Sequence, residues 1–250
     1  RHMMNIVYYC ISLKRSKKRR AHAESLFQDY ELPVRMFEGV DGNELTFVEK
    51  DGVKTGIYED RRFLHRPDVT YAHHGKYLEA SGCFGCSLSH YLIYESFLED
   101  KEFDACLIFE DDIFFDCTPD VFWKHLEHLP PPARFDVCLF SSIHWSGEAY
   151  PDGGRINAHF HRIPPGWRDY SGTSGYLLTR GGVKALCGNG SLEINFAADD
   201  YLAYRIRKNG LVAISPLRPL IVGHGRFESD AWATKPVPFF NANGKEGGMR

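Results

Sequence analysis

The sequence predicts an α/β fold, a mostly parallel central sheet flanked by helices, and three observations carry that prediction. Apolar runs of strand length recur along the chain, stretches with helical spacing lie between them, and the run 105–109 (ACLIF) has no polar residue at all. A wholly apolar run of that length is the mark of a strand covered on both faces, as strands in helix-flanked sheets are. The chain has 250 residues, 43% hydrophobic and 25% charged, enough for a sizeable core. We expect one domain over 4–235 and a flexible tail over 236–250.

The first strand is predicted at 5–13 (NIVYYCISL), rich in β-branched and aromatic residues. A basic burst, KRSKKRR at 14–20, reads as the turn into a helix from Ala21 to Asp29. Residues 34–40 form a short second strand that ends in the turn Gly39-Val40-Asp41-Gly42. The polar segment 43–80 contains Asp51-Gly52 but little periodicity, and is expected to be loops with short helices. From Cys86 to Leu98 apolar residues fall at helical spacing. The strand 105–109 follows, then a helix over 120–128 closed by three prolines, and a second buried strand at 136–140. The long aromatic, Gly- and Pro-rich stretch 141–171 reads as a functional loop. A strand at 175–179 leads through Gly181-Gly182 to a short helix; 199–208 is helical and 211–214 is a strand.

Charge and cysteine usage narrow the function. With 30 basic and 33 acidic residues the net charge is −3, so nothing draws the whole chain to nucleic acid or an anionic membrane. No apolar run reaches the roughly 18 residues of a transmembrane helix. Seven scattered cysteines do not make a disulfide scaffold, and no secretory signal opens the sequence. These point to a cytoplasmic protein, with attachment at a membrane surface as the variant and a secretory location less favoured. Arg1-His2-Met3 resembles a cloning remnant.

The chemistry concentrates where strand 105–109 ends in Glu110-Asp111-Asp112. Ligands of open α/β sheets sit outside the carboxyl ends of strands. Three adjacent carboxylates repel one another unless a cation is shared, and hard oxygen donors suit Mg²⁺ or Mn²⁺. The alternative is a solvated acidic turn. The basic burst at 14–20 is placed to hold phosphate, or else is a solvated helix face or a nucleic-acid patch. Neither a dinucleotide-binding nor a P-loop fingerprint is present. Cys83 and Cys86 have the spacing of a zinc or redox pair but no second pair. His159 and His161 read as surface residues. His90 reads as a packing residue, and His224 stands out between two glycines that allow close approach of a ligand. In the aromatic stretch, Trp145, Tyr150, Phe160, Trp167 and Tyr170 could stack on sugar rings beside Arg168 and Asp169, or could simply anchor a loop.

Several of these residues stand in blocks that resemble glycosyltransferase family 25, the family of bacterial lipooligosaccharide and collagen galactosyltransferases. They are Ile11-Ser12-Leu13-Lys14-Arg15-Ser16 with Arg19-Arg20, Phe37 to Gly42, Gly85-Cys86-Ser87-Leu88-Ser89-His90, Ile108 to Asp112, and Gly172-Thr173-Ser174-Gly175-Tyr176. Their order agrees over residues 5 to about 225. The resemblance implies a GT-A fold, a UDP-sugar donor (UDP-galactose foremost), Mn²⁺ or Mg²⁺, and inverting transfer to a glycan, glycolipid or hydroxylated-protein acceptor.

By family position Asp112 would be the direct metal ligand and His224 a further one, with Glu110 and Asp111 contacting ribose or metal-bound water. Ser12, Leu13, Arg15 and Asp41 would line the donor, with Ser89 and His90 beneath it. Asp199 would be the general base and Asp200 its helper or a helix-terminal charge. Trp145, Trp167 and Asp169 would meet the acceptor. A lipooligosaccharide-type acceptor is favoured. The alternatives are a UDP-glucose enzyme, a collagen-hydroxylysine transferase, a noncatalytic carbohydrate-binding relative, and a Mg²⁺-dependent phosphoester hydrolase.

Overall fold

The computed structural model describes residues 4–51, 53–65, 81–141, 149–166, 173–187 and 197–223. In chain order these give β1 (Ile6–Ser12), α1 (Lys17–Asp29), β2 (Val34–Glu38), β3 (Thr46–Lys50), β4 (Val53–Tyr58), β5 (Arg61–His65) and α2 (Ser81–Glu99). There follow β6 (Ala105–Glu110), β7 (Ile113–Phe115), α3 (Pro119–Glu127), β8 (Val137–Leu139), β9 (Phe160–Arg162) and β10 (Gly175–Thr179). The last elements are α4 (Arg180–Cys187), α5 (Ala198–Asn209), β11 (Ala213–Pro216) and β12 (Ile221–Gly223).

Seven strands form the central sheet in the order β2-β1-β6-β10-β8-β11-β9. The pairings make β2, β1, β6, β8 and β11 run one way and only β10 and β9 the other. The sheet is therefore mostly parallel, and β6 lies inside it between β1 and β10. Residues 105–109 of β6 are 0% exposed, which is why that strand contains no polar side chain before Glu110.

The two faces are packed by different helices, and strand alternation decides which side chain goes where. Val7, Tyr9, Cys106, Ile108, Tyr176 and Leu178 pack with Ile93, Tyr94 and Phe97 of α2, Val183 of α4 and Leu202 of α5. Tyr8, Cys10, Leu107, Phe109 and Leu177 face the other way, onto Ala23 and Phe27 of α1 and Phe122 of α3. Phe27 lies against Phe109 with ring centroids 5.0 Å apart. Fully burying one such ring contributes about 1.5–3 kcal/mol.

The structure corrects some sequence expectations. The segment expected to be loops with short helices contains an antiparallel meander, β3-β4-β5. Lys50 stands opposite Val53 across its first turn, and Asp51 takes a positive φ of 54°. An Asp-Gly pair between strands is a strong hairpin signal. It was overlooked because much of the meander is exposed and its hydrophobic pattern is correspondingly weak. Helix α1 starts at Lys17, four residues before the predicted Ala21, since lysine and arginine are good helix formers. The basic residues 17–20 are thus its first turn. A short strand, β9, lies inside the stretch expected to be loop, and β12 pairs with β7 in a separate two-stranded ribbon. The expected tail, 236–250, lies outside the described residues.

Candidate active site

The site is built at the carboxyl ends of β1, β2 and β6, beside the N-terminal turns of α2. Two glycine contacts hold it together. A Cβ on Gly42 would stand 2.4 Å from the Gly82 nitrogen, and one on Gly85 would stand 2.5 Å from the Val40 carbonyl oxygen. The turn after β2 and the start of α2 therefore meet backbone to backbone, which only glycine permits at both places. Ser89 fastens the contact: its hydroxyl accepts from the Val40 N–H at 2.8 Å and donates to the Gly85 carbonyl at 2.7 Å. It is fully buried, so its work is to hold the turn.

That turn presents Asp41, which accepts from the Asn43 N–H at 3.0 Å and from Arg15 Nε at 2.5 Å. Burial pushes the Asp41 carboxyl upward, but the Asn43 and Arg15 bonds outweigh it and hold the group below its ordinary value. Leu13 precedes this pair in the chain and is half-buried.

The acidic triplet leaves β6 in three directions. Glu110 accepts from Thr173 Oγ1 at 2.5 Å and faces His90 Nε2 at 3.7 Å. Burial raises its pKa, yet His90, Thr173 and Arg19 together bring it below the usual range. Asp111 is buried against the first strand and the first helix, with Arg19 Nη2 at 2.6 Å from its Oδ1. Burial keeps its pKa raised despite Arg19. The buried Ser12 hydroxyl lies close enough to favour the Asp111 anion but completes no well-aligned hydrogen bond. Asp112 Oδ2 is 3.2 Å from the same Arg19 nitrogen. Burial, followed by repulsion from Glu110, pushes the Asp112 carboxyl up to about 7. One guanidinium from the basic burst is thus the cation that two carboxylates share.

His90 is 1% exposed, and its Nδ1 is 2.6 Å from the Tyr176 hydroxyl, itself 2.7 Å from the Tyr94 hydroxyl. Asp199 and Asp200 sit in the first turn of α5, where neither is the N-cap; that place is taken by Ala197. Asp199 Oδ1 accepts the Asp200 N–H at 2.9 Å. Burial and the Asp199 charge push the Asp200 carboxyl up to about 7. Burial, and then the charges of Glu110 and Asp199, push the Cys86 thiol up. The start of α5 therefore faces the same end of α2 as the triplet.

Ser12, Leu13, Arg15, Asp41, Ser89, His90, Glu110, Asp111 and Asp112 lie along this edge of the sheet. His224, Trp145, Trp167 and Asp169 lie outside the described residues, the first of them one position past β12. Gly223 of β12 pairs with Ile113, the residue after Asp112. Arg19 and Thr173 were present in quoted motifs but received no role of their own. Tyr176 was likewise visible only as part of a strand.

Asp111 and Asp112 are hard oxygen donors of the kind Mn²⁺ or Mg²⁺ takes, and Arg19 supplies the positive charge between them. All seven cysteines are free, so Cys83 and Cys86 form no disulfide. Among the described residues no helix is long and apolar enough to cross a membrane.

Comparison with known proteins bears on this site. A sequence model described as glycosyltransferase family 25 (LPS biosynthesis protein) matches residues 5–202. A "Glycosyltransferase 25 family member" of Drosophila pseudoobscura pseudoobscura is 30% identical over 200 residues, 78% of this chain and 29% of its own length. Human "Procollagen galactosyltransferase 2" is 28% identical over 110 residues, 43% of this chain and 16% of its own. A rat "Probable inactive glycosyltransferase 25 family member 3" is 32% identical over 121 residues, 48% of this chain and 19% of its own. The chain spans under a third of the length of these relatives.

Proposed function

Because the chain belongs to glycosyltransferase family 25, we propose that it transfers a sugar, galactose first among candidates, from a UDP donor to a hydroxyl acceptor. The observation that supports this reading is the triplet Glu110-Asp111-Asp112 at the end of a central strand, half-buried, with Arg19 between two of its carboxylates. Galactose is preferred on the likeness to the human procollagen galactosyltransferase.

Asp112 would hold the divalent ion, with His224 as its expected companion. When bound, that ion supplies positive charge to the diphosphate leaving group. Arg15, held by Asp41, would meet a phosphate oxygen, while Arg19 stays between Asp111 and Asp112. Thr173 holds one Glu110 oxygen and leaves the other for a donor hydroxyl. The acceptor oxygen attacks the anomeric carbon from the face opposite the diphosphate, inverting it, and its proton passes to the carboxylate of Asp199. Asp200, whose own carboxyl holds a proton up to about pH 7, keeps a second negative charge from building beside that base. The acceptor is a hydroxyl of a glycolipid saccharide or of a hydroxylated protein side chain.

Calorimetry of UDP and UDP-galactose with Mn²⁺ or with EDTA, on the parent and on Asp112→Ala, tests the reading. Binding that requires metal and disappears in Asp112→Ala is expected. Metal-independent binding, or none, would refute the assignment of the triplet. UDP release in the presence of lipooligosaccharide-type and hydroxylysine acceptors then separates the two acceptor classes.

A further inference from the structure

One group of side chains shares Glu110 with the triplet and adds two donors, Cys86 and His90, that the transfer reaction does not use. Cys86 and His90 are four residues apart on α2 and so lie on one face of the helix. The Cys86 sulfur, a His90 ring nitrogen and a Glu110 oxygen lie within 4.8 Å of one another, the one such group among the described residues. His90 Nε2 is buried, makes no hydrogen bond and is aimed at Glu110 across 3.7 Å, too far for one. An unsatisfied buried ring nitrogen costs about 1–3 kcal/mol, so a partner at that atom would relieve a real penalty.

We propose that Cys86, His90 and Glu110 form a binding site for a thiophilic divalent cation of the Zn²⁺ type, separate from the oxygen-donor site at Asp112. The donor set is one sulfur, one imidazole nitrogen and one carboxylate oxygen, which selects zinc over manganese or magnesium. Three protein ligands leave a fourth position for water. Bonds of about 2.3 Å to sulfur and 2.0–2.2 Å to nitrogen and oxygen require the three atoms to draw together by roughly 1 Å.

The surroundings are arranged for it. The Tyr176 hydroxyl sits on His90 Nδ1 and fixes the ring, and the tautomer with the proton on that nitrogen leaves Nε2 free to ligate. Thr173 donates to Glu110 Oε1, the same oxygen that faces His90 Nε2, and so fixes the carboxylate beside the ring. Within 81–90 Cys86 alone is more than marginally exposed, which gives an ion its way in. Zinc seated here takes Glu110 away from the donor site and opposes transfer, but its binding does not depend on the transferase reading.

Cobalt titration of the chelator-treated protein tests the site without any activity measurement. One equivalent of Co²⁺ should give thiolate-to-cobalt charge-transfer absorption and the intense visible bands of a four-coordinate ion, both displaced by Zn²⁺. Cys86→Ser and His90→Gln should each abolish that spectrum while circular dichroism shows the fold intact, and Cys187→Ser and Asp112→Asn should retain it. A wild-type spectrum without the thiolate band, or a thiolate band that survives in Cys86→Ser, would overturn the proposal. Loss of the spectrum in Asp112→Asn would also overturn it, by making the two sites one. Should His90→Gln fail to fold, the Cys86→Ser comparison decides alone.

Discussion

Gly85→Ala should be the most informative single methyl group in this protein. The added carbon would lie 2.5 Å from the Val40 carbonyl oxygen and 3.1 Å from the Gly42 nitrogen, where ordinary contact begins at 3.4 Å. The turn or the helix must therefore retreat by about 0.9 Å at the closest pair. Overpacking of this kind typically costs about 1–3 kcal/mol. Both walls are backbone here and neither can rotate away, so the upper end, about 3 kcal/mol, is expected. Retreat of the turn also lengthens the Val40–Ser89 bond and carries Asp41 away from Arg15, so UDP affinity should fall as well. Urea unfolding, followed by tryptophan fluorescence, measures the first effect and calorimetry the second. Gly181→Ala is the control: it is exposed, its Cβ would meet only side-chain oxygens at 3.7 Å, and it lies within α4. Helix propensity there should stabilise by up to about 1 kcal/mol. A Gly85→Ala protein within about 0.5 kcal/mol of the parent would refute the backbone-contact argument.

Other expectations follow from single side chains. Arg180 donates to the carbonyls of Phe97, Leu98, Asp100 and Phe103 and lies over the Phe97 ring, closing the end of α2. Arg180→Met should lower stability by about 2–4 kcal/mol, read as a drop in the urea midpoint at unchanged m-value. Asp200 has its folded pKa raised to about 7, so it binds its proton more tightly folded than unfolded. Its burial penalty is absent below about pH 4 and grows as pH rises to 7. Asp200→Asn should therefore match the parent near pH 4 and exceed it in stability at pH 8, and a gap that narrows with rising pH would contradict this. Asp199→Asn should lower kcat by about 10²- to 10⁴-fold with UDP affinity kept, as expected for a general base. Equal loss of donor affinity would assign Asp199 to binding instead.

The parts of the fold that were legible are those whose local pattern is also their environment. Residues 105–109 and 175–179 are apolar without alternation because they are inner strands buried on both faces. The position of the acidic triplet followed from that, since a buried strand that stops at Glu110 must open onto a polar edge. The meander β3-β4-β5 was obscured by solvent, which leaves few positions where side-chain type is forced. The ribbon of β7 and β12 was illegible for another reason: three residues pair with three others more than a hundred positions away, and no local window holds both. The contacts of Thr173 with Glu110 and of Tyr176 with His90 were hidden in the same way, because the sheet brings the partners together. Gly85 and Gly42 look like ordinary turn residues until two backbones are found in contact.

Arg19 has a consequence for the order in which this site comes into being. With its guanidinium between Asp111 and Asp112, the corner has a counter-charge supplied by the chain itself. Assembly of this corner need not wait for an ion, and adding Mn²⁺ to the metal-free protein should leave its melting temperature nearly unchanged. On the proposed reading, an ion arriving with the donor would exchange one positive group for another on a scaffold already in place.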